Sequence, residues 1–235
     1  WVLPDSGPIR VYDLFSFKEL DNYLKNDSSF FSLNLFNDIV TNSDKMWLAS
    51  WMPQDFGISY FDKKTQSFKQ ITKIKGNHDK FVADYYNRAA FLNNGNVIFS
   101  AYGGWNIVNQ KFEIVKSMNT REFKIGNDNI QGIGQDAMGN IWFGSGEGLY
   151  QFNLKTDKTT RLSKIDGLAS NNITQAFFFS KDNWLYFSTD YHVQKIDLKN
   201  ILKTELINVL KLSSVKVNNK NINYTERKNL SFKEK

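Results

Sequence analysis

Cysteine is absent from the chain, which excludes disulfides, zinc–thiolate sites and thiol catalysis but does not fix the compartment. Only three prolines occur. No run of 18 apolar residues is present, so no stretch has the pattern of a membrane-spanning helix. A phosphate-binding glycine loop, an HExxH pair and an EF-hand loop are all missing. Most of the chain also lacks an excess of either charge. The formal net charge of +6 arises in residues 195–235, where ten Lys and Arg face four Asp and Glu, while residues 1–194 carry twenty of each. No basic groove with interleaved aromatics is visible, so nucleic acid is not an expected partner and the lysines have the pattern of a solvated surface.

Aromatic residues are what the chain has in plenty, at 15% with twenty Phe, and such side chains fit pleated sheets better than helices. A length of 235 residues accommodates one large all-β domain or two smaller ones. The segment "DAMGNIWFGSGEGLYQFN" (136–153) places three glycines around one tryptophan, and related segments recur. "DKMWLASWMPQDFGISYFDKKT" (44–65), "GNVIFSAYGGWNIVNQ" (95–110), "NWLYFSTDYHVQKIDLKN" (183–200) and the opening "WVLPDSGPIRVYDLFS" fit the same frame. Trp1, Trp47, Ile98, Trp142 and Tyr186 align as anchors, spaced by 46, 51, 44 and 44 residues. Five copies near that period indicate a repeat architecture.

Each unit has the pattern of four strands. In the clearest copy "NIQGIGQ", "IWFGS", "LYQFNL" and "TTRLS" are the expected strands, with "AMGN" and "KTDK" as turns. The turn after the third strand repeats as Asp62-x-x-Thr65, Asn153-x-x-Thr156 and Asp197-x-x-Asn200, where an Asx side chain can accept a backbone N–H. Gly139 is expected to supply a positive φ. Gly144, matched by Ala49 and Ser100, is expected where neighbouring sheets converge, with Trp47 and Trp142 as wedges between them. Four antiparallel strands in about 44 residues make the blade of a β-propeller, so the expected fold is all-β.

The copy "NIQGIGQDAMGNIWFGSGEGLYQFN", followed by "DGLASNNITQ", resembles the two-component regulator propeller repeat, departing from it at Ser145 and Asn153. The resemblance covers most of residues 1–205. It implies a propeller over residues 1–207 that is part of a seven-bladed ring. The end of the chain, with Val215, Val217, Asn218 and Lys220 in "VKVNNK", resembles the opening of the triple-tyrosine domain. That implies the first strands of an immunoglobulin-like sandwich over residues 208–235. Because the chain opens at Trp1 with neither an initiator Met nor a signal peptide, it is expected to be a portion of a longer protein.

That family supplies the periplasmic sensor region of Bacteroidetes hybrid two-component regulators. The resemblance therefore implies an extracytoplasmic domain that acts as a homodimer, recognises an oligosaccharide and passes the change to a transmembrane kinase. No catalysis, metal or cofactor is expected, nor membrane contact in this region. In a propeller the loop after the second strand and the segment leading into the next first strand share one face. There the chain departs from its own pattern with Trp51 and Asp55, with Tyr85, Tyr86 and Arg88, with Tyr102 and Trp105, and with Asp190, Tyr191 and His192. Aromatics beside Asp, Asn and Arg can stack on sugar faces and hydrogen-bond hydroxyls, and the same side chains would also serve to pack loops against the ring.

Two other classes stay open. One is a cell-surface or secretion-associated scaffold that uses the repeats to bind protein. The other is a propeller lyase, a class that shares a "G-x-I-W" blade and uses a His with a metal-bound Glu. Only His78 and His192 are available for that role, and they fall in different repeats. A sialidase-like Asp box is not met, because "QDAMGNIW" lacks its Ser and Thr.

Overall fold

The computed structural model describes residues 10–22, 36–50, 58–71, 80–83, 85–126, 129–201, 215–217 and 220–222. It divides into two units, Trp1–Lys199 and Asn200–Lys235.

The first unit is a series of antiparallel meanders, one for each repeat. Sheet I is a hairpin of β1 (Arg10–Tyr12) and β2 (Glu19–Asn22). Sheet II holds β3 (Phe36–Thr41), β4 (Lys45–Ser50), β5 (Ile58–Asp62) and β6 (Ser67–Ile71). Sheet III holds β7 (Arg88–Phe91), β8 (Val97–Ala101), β9 (Gly104–Val108) and β10 (Ile114–Asn119). Sheet IV holds β11 (Ile133–Gln135), β12 (Ile141–Ser145), β13 (Gly148–Asn153) and β14 (Lys158–Leu162). Sheet V has three strands, β15 (Ile173–Phe179), β16 (Trp184–Thr189) and β17 (Val193–Asp197). A one-turn helix, α1 (Leu198–Ile201), follows where the pattern led us to expect a turn and a fourth strand. Asp197 Oδ1 accepts the Lys199 amide at 2.9 Å, so the Asx contact forms there but opens a helical turn.

The aromatic anchors decide how the sheets stack. Trp47 on β4 is fully buried and meets Phe99 of sheet III at 6.2 Å and Phe112 at 5.6 Å. With Ile58, Tyr60, Val97 and Tyr86 it forms the core between sheets II and III. Ile98, Trp105, Ile107, Ile141, Phe143 and Phe152 form the core between sheets III and IV. Between sheets IV and V there is no room for a side chain at Gly144, where a Cβ would lie 2.4 Å from Ile173 Cγ2. The first strands β3, β7, β11 and β15 neighbour one another in turn, which sets them on the inner side of the stack. These sheets have the form of propeller blades.

The Asp of the repeat motif explains the local turn in sheet IV. Asp136 Oδ1 accepts the Met138 and Asn140 amides, both at 2.9 Å, and Gly139 takes φ +90°. Asp136 Oδ2 accepts Asn140 Nδ2 at 3.0 Å and the Trp142 indole N–H at 2.8 Å. One buried carboxylate thus holds both the turn and the wedge. In sheet V Asn183 does the work of Gly139 at φ +66°, Asn being among the few side chains that tolerate this region. The Asx turns after the third strands form as expected: Asp62 Oδ1 accepts the Lys64 and Thr65 amides, and Asn153 Oδ1 those of Lys155 and Thr156. Asn109 does the same in sheet III, accepting the Lys111 and Glu113 amides at 2.9 Å.

In the second unit β18 (Val215–Val217) and β19 (Lys220–Ile222) pair as an antiparallel hairpin, with Val215 opposite Ile222.

Candidate functional site

The meander geometry gathers one class of loops at one end of the stack. The Tyr86 amide, just before β7, donates to Ser50 O at the end of β4 at 2.7 Å, and Ile130 N donates to Ala101 O at 3.4 Å. Segments leading into first strands therefore lie beside the ends of second strands of the preceding sheet. In sheet V the β16–β17 loop meets the segment entering its own first strand, with Asp190 accepting from Ser170 Oγ at 3.3 Å and from Asn172 Nδ2.

Of the residues expected to face a ligand, Trp51 and Asp55 lie outside the described residues, as does His78. Tyr86 and Trp105 are corrected by the structure, which buries both completely. The Tyr86 hydroxyl donates to Asn106 Oδ1 at 2.5 Å. Asn106 in turn accepts the Val82 amide and donates to Lys80 O and Ser117 Oγ, so this polar cluster pins the segment before β7 to sheet III. Trp105 lies edge-on to Phe152 of sheet IV at 5.2 Å. Both residues sit on or beside strands of the core, where a large ring is better used to exclude water.

The other expected residues form three separate groups. Tyr85 packs edge-to-face with Tyr102 at 5.5 Å, Tyr102 being 40% exposed. Asp190, Tyr191 and His192 make an exposed loop, with Tyr191 89% exposed and the His192 amide held by Thr189 Oγ1. Arg88, at the start of β7, joins neither group.

Arg88 lines a cleft of about 560 Å³, within the range of small-molecule sites. The cleft lies where β3 and β7 meet the outer face of sheet V, and Asp38, Gln175, Phe178, Tyr186, Ser188 and Val193 share its wall. Arg88 Nη1 donates to Asn37 O on β3 at 2.8 Å, while Nη2 donates to Gln175 Oε1 on β15. A single guanidinium therefore ties three first strands across the axis. Asp38 Oδ2 accepts the Ala89 amide at 3.0 Å and Oδ1 that of Ile39 at 2.9 Å. Burial raises the Asp38 carboxyl above the usual carboxylate range, against the opposing pull of the Ala89 amide and the Arg88 charge. Opposite them Phe178 is 63% exposed beside the half-buried Tyr186, ring centroids 6.0 Å apart, and Val193 is 78% exposed.

The arrangement can bind more readily than it can react. One cation, one carboxylate, a carboxamide and an apolar wall converge on a small open volume. Among the described residues no three His, Cys, Asp or Glu side chains gather in a way that could hold a metal ion. Asp38, Gln175 and Phe178 were not legible as site residues because they lie on strands rather than in loops, and Tyr186 was legible only as a repeat anchor. The signal available was a polar residue interrupting an apolar strand, Asp38 in "FNDIVT" and Gln175 in "ITQAFFF".

No protein-family model matches the sequence, and no curated protein matches it either. Solved structures do resemble the fold. The extracellular domain of a hybrid two-component system from B. thetaiotaomicron is 17% identical with a TM-score of 0.63, over 80% of this chain and 24% of that one. A second such extracellular domain from the same organism is 17% identical with a TM-score of 0.53, over 71% of this chain and 23% of the other. Virginiamycin B lyase from Staphylococcus aureus, solved with quinupristin, is 15% identical with a TM-score of 0.50, over 72% and 59%. The chain thus spans about a quarter of the length of the two sensor-system domains it resembles. At these identities the likeness is one of fold.

Proposed function

We propose that this protein is part of an extracytoplasmic sensing domain of a two-component regulator, and that it binds an oligosaccharide signal in the cleft spanned by Arg88. In this proposal residues 1–207 are blades of a seven-bladed ring of two-component regulator propeller repeats. Residues 208–235 open a triple-tyrosine sandwich through which a homodimer passes the change to a transmembrane kinase. The observation that carries the proposal is the Arg88 guanidinium shared by three first strands, beside Asp38 and Gln175, in a fold like that of sensor extracellular domains. Tyr85 and Tyr102 on one side, and Asp190, Tyr191 and His192 on another, belong to the same class of loops and would extend the contact to further sugar units.

A ligand that favours one arrangement of such a dimer shifts it by the difference in its affinity for the two arrangements. Thermal-shift screening of the purified protein against a glycan fragment library tests the proposal. Stabilisation by at least one oligosaccharide is expected, and none by any member of a broad library would defeat it.

The fold likeness to virginiamycin B lyase favours a second possibility, an enzyme. That alternative requires turnover that disappears both with a chelator and with His192→Ala, whereas the sensing proposal expects no turnover.

A further inference from the structure

We infer that the end of the stack where the loops gather takes one ring of an uncharged sugar, seated between the carboxamides of Asn37 and Asn87 and the phenol of Tyr102. This rests on the sensing proposal above and narrows its ligand to a neutral one.

The placement follows from contacts that run unbroken across sheets II, III and IV. Asn37, near the start of β3, donates from Nδ2 to Tyr86 O at 3.0 Å. Asn87, just ahead of β7, donates from Nδ2 to Asn129 Oδ1 at 3.1 Å and to Ile130 O at 3.0 Å. Asn129 is bridged to Tyr102, whose ring meets that of Tyr85. Sheet III is packed on both sides, by sheets II and IV, so this group does not lie on the free face of a terminal sheet.

The chemistry narrows the ligand. With Nδ2 held on a backbone carbonyl, each carboxamide has one orientation, and neither Oδ1 has a protein partner among the described residues. Both residues are half-buried, so the two oxygens stand as fixed acceptors for hydroxyl protons. Tyr102, 40% exposed, adds a ring edge for the apolar side of a pyranose and a hydroxyl that both donates and accepts. An anion gains nothing here. Two acceptors repel a carboxylate, and the nearest cation, Arg88, has Asp38 close enough for the two charges to couple. An extended peptide presents carbonyls that need donors, and both Asn87 carboxamide protons are already engaged.

The test is calorimetric titration of the purified protein with short oligomers of galactose, glucose, mannose, xylose and arabinose, with oligomers of galacturonate, glucuronate and mannuronate, and with triserine. At least one neutral oligomer is expected to bind roughly tenfold or more tightly than any uronate, which would bring an unpaired charge against the acceptors. Tyr102→Ala is expected to weaken that oligomer by roughly tenfold. Tyr102→Phe, which keeps the ring packed on Tyr85, and Asn37→Leu, which removes one acceptor, are each expected to weaken it by roughly two- to tenfold. Melting temperatures of the three variants, measured alongside, separate lost contacts from lost folding. A uronate bound as tightly as the neutral oligomers overturns the neutral ligand and leaves oligosaccharide sensing standing. Tyr102→Ala and Asn37→Leu without effect overturn the placement. Triserine bound as tightly as any sugar overturns the sugar. Failure of every neutral oligomer overturns the inference, and the sensing proposal falls with it only if the uronates and the wider glycan library fail as well.

Discussion

The indole N–H of Trp142 donates to Asp136 Oδ2 at 2.8 Å, and both groups are buried. In sheet III the corresponding positions are Leu92 and Ile98, whereas sheet II keeps an indole, Trp47, with Asn42 in the place of the acid.

Trp142→Phe leaves one carboxylate lone pair without a donor and should cost about 1–3 kcal/mol. Asp136→Leu should cost more, since four hydrogen bonds end on that carboxylate. The double change Asp136→Leu with Trp142→Ile should cost less than the sum of its single changes, with a coupling of about 0.5–3 kcal/mol. Urea denaturation of the parent, Asp136→Leu, Trp142→Ile and the double variant measures this directly, and strict additivity would contradict it.

Two glycines of the same repeat should respond in different ways. A Cβ at Gly139 meets nothing nearer than 3.7 Å, so Gly139→Ala suffers only from its positive φ, about 1 kcal/mol, and Gly139→Asn should be nearly neutral, as Asn183 is in sheet V. Gly144→Ala drives a methyl into Ile173 on the next sheet and should cost more, about 1–3 kcal/mol. Chemical denaturation midpoints would rank them, and the reverse order would refute the packing described between sheets IV and V.

Asn106→Ala removes the acceptor of the Tyr86 hydroxyl and of the Val82 amide, and one of the two donors to the Lys80 carbonyl, which keeps Ser117 Oγ. A loss of about 3 kcal/mol is expected, against about 1 kcal/mol for Tyr86→Phe. Hydrogen exchange should show faster exchange at Val82 and Tyr86 in the Asn106 variant than in the parent.

Asp38 gives the protein a pH dependence whose sign is fixed. Burial raises its folded value, so the folded chain binds this proton more readily than the unfolded chain does. Stability is unpenalised below the ordinary carboxylate value and declines as pH rises toward and through the raised one. Asp38→Asn should therefore flatten the stability profile across that interval and gain relative to the parent on its alkaline side. Asp62, lowered chiefly by the Thr65 amide, acts in the opposite sense. Its contribution is present above the ordinary value and is lost as pH falls through the lowered one. Denaturation midpoints of Asp38→Asn and Asp62→Asn at stepped pH should diverge from the parent in opposite directions.

The repeat carried most of the fold. Period, turn chemistry and the tryptophan anchors set the strands of sheets II to IV, because each turn is closed by side chains within a few residues of it. What depends on distant residues was not legible. Tyr86 and Trp105 looked like rim aromatics, and only the stacking of sheet III on its neighbours shows that they are interior. The cleft joins β3, β7 and β15, elements more than a hundred residues apart at their extremes, and no local pattern announces that meeting. Arg88 was found because it stood beside a loop, while its partners Asp38 and Gln175 sat within strands.

Because sheets II to V pack chiefly against the one before and the one after, with Arg88 as a tie from sheet III to sheet V, a defect has few routes by which to spread. The free energy of the stack is then close to a sum over sheets and adjoining faces. A change at Trp47, on the face between sheets II and III, and one at Gly144, between IV and V, should leave each other's consequences untouched. Evolution can therefore tune one wall of the cleft while the remaining sheets hold their shape.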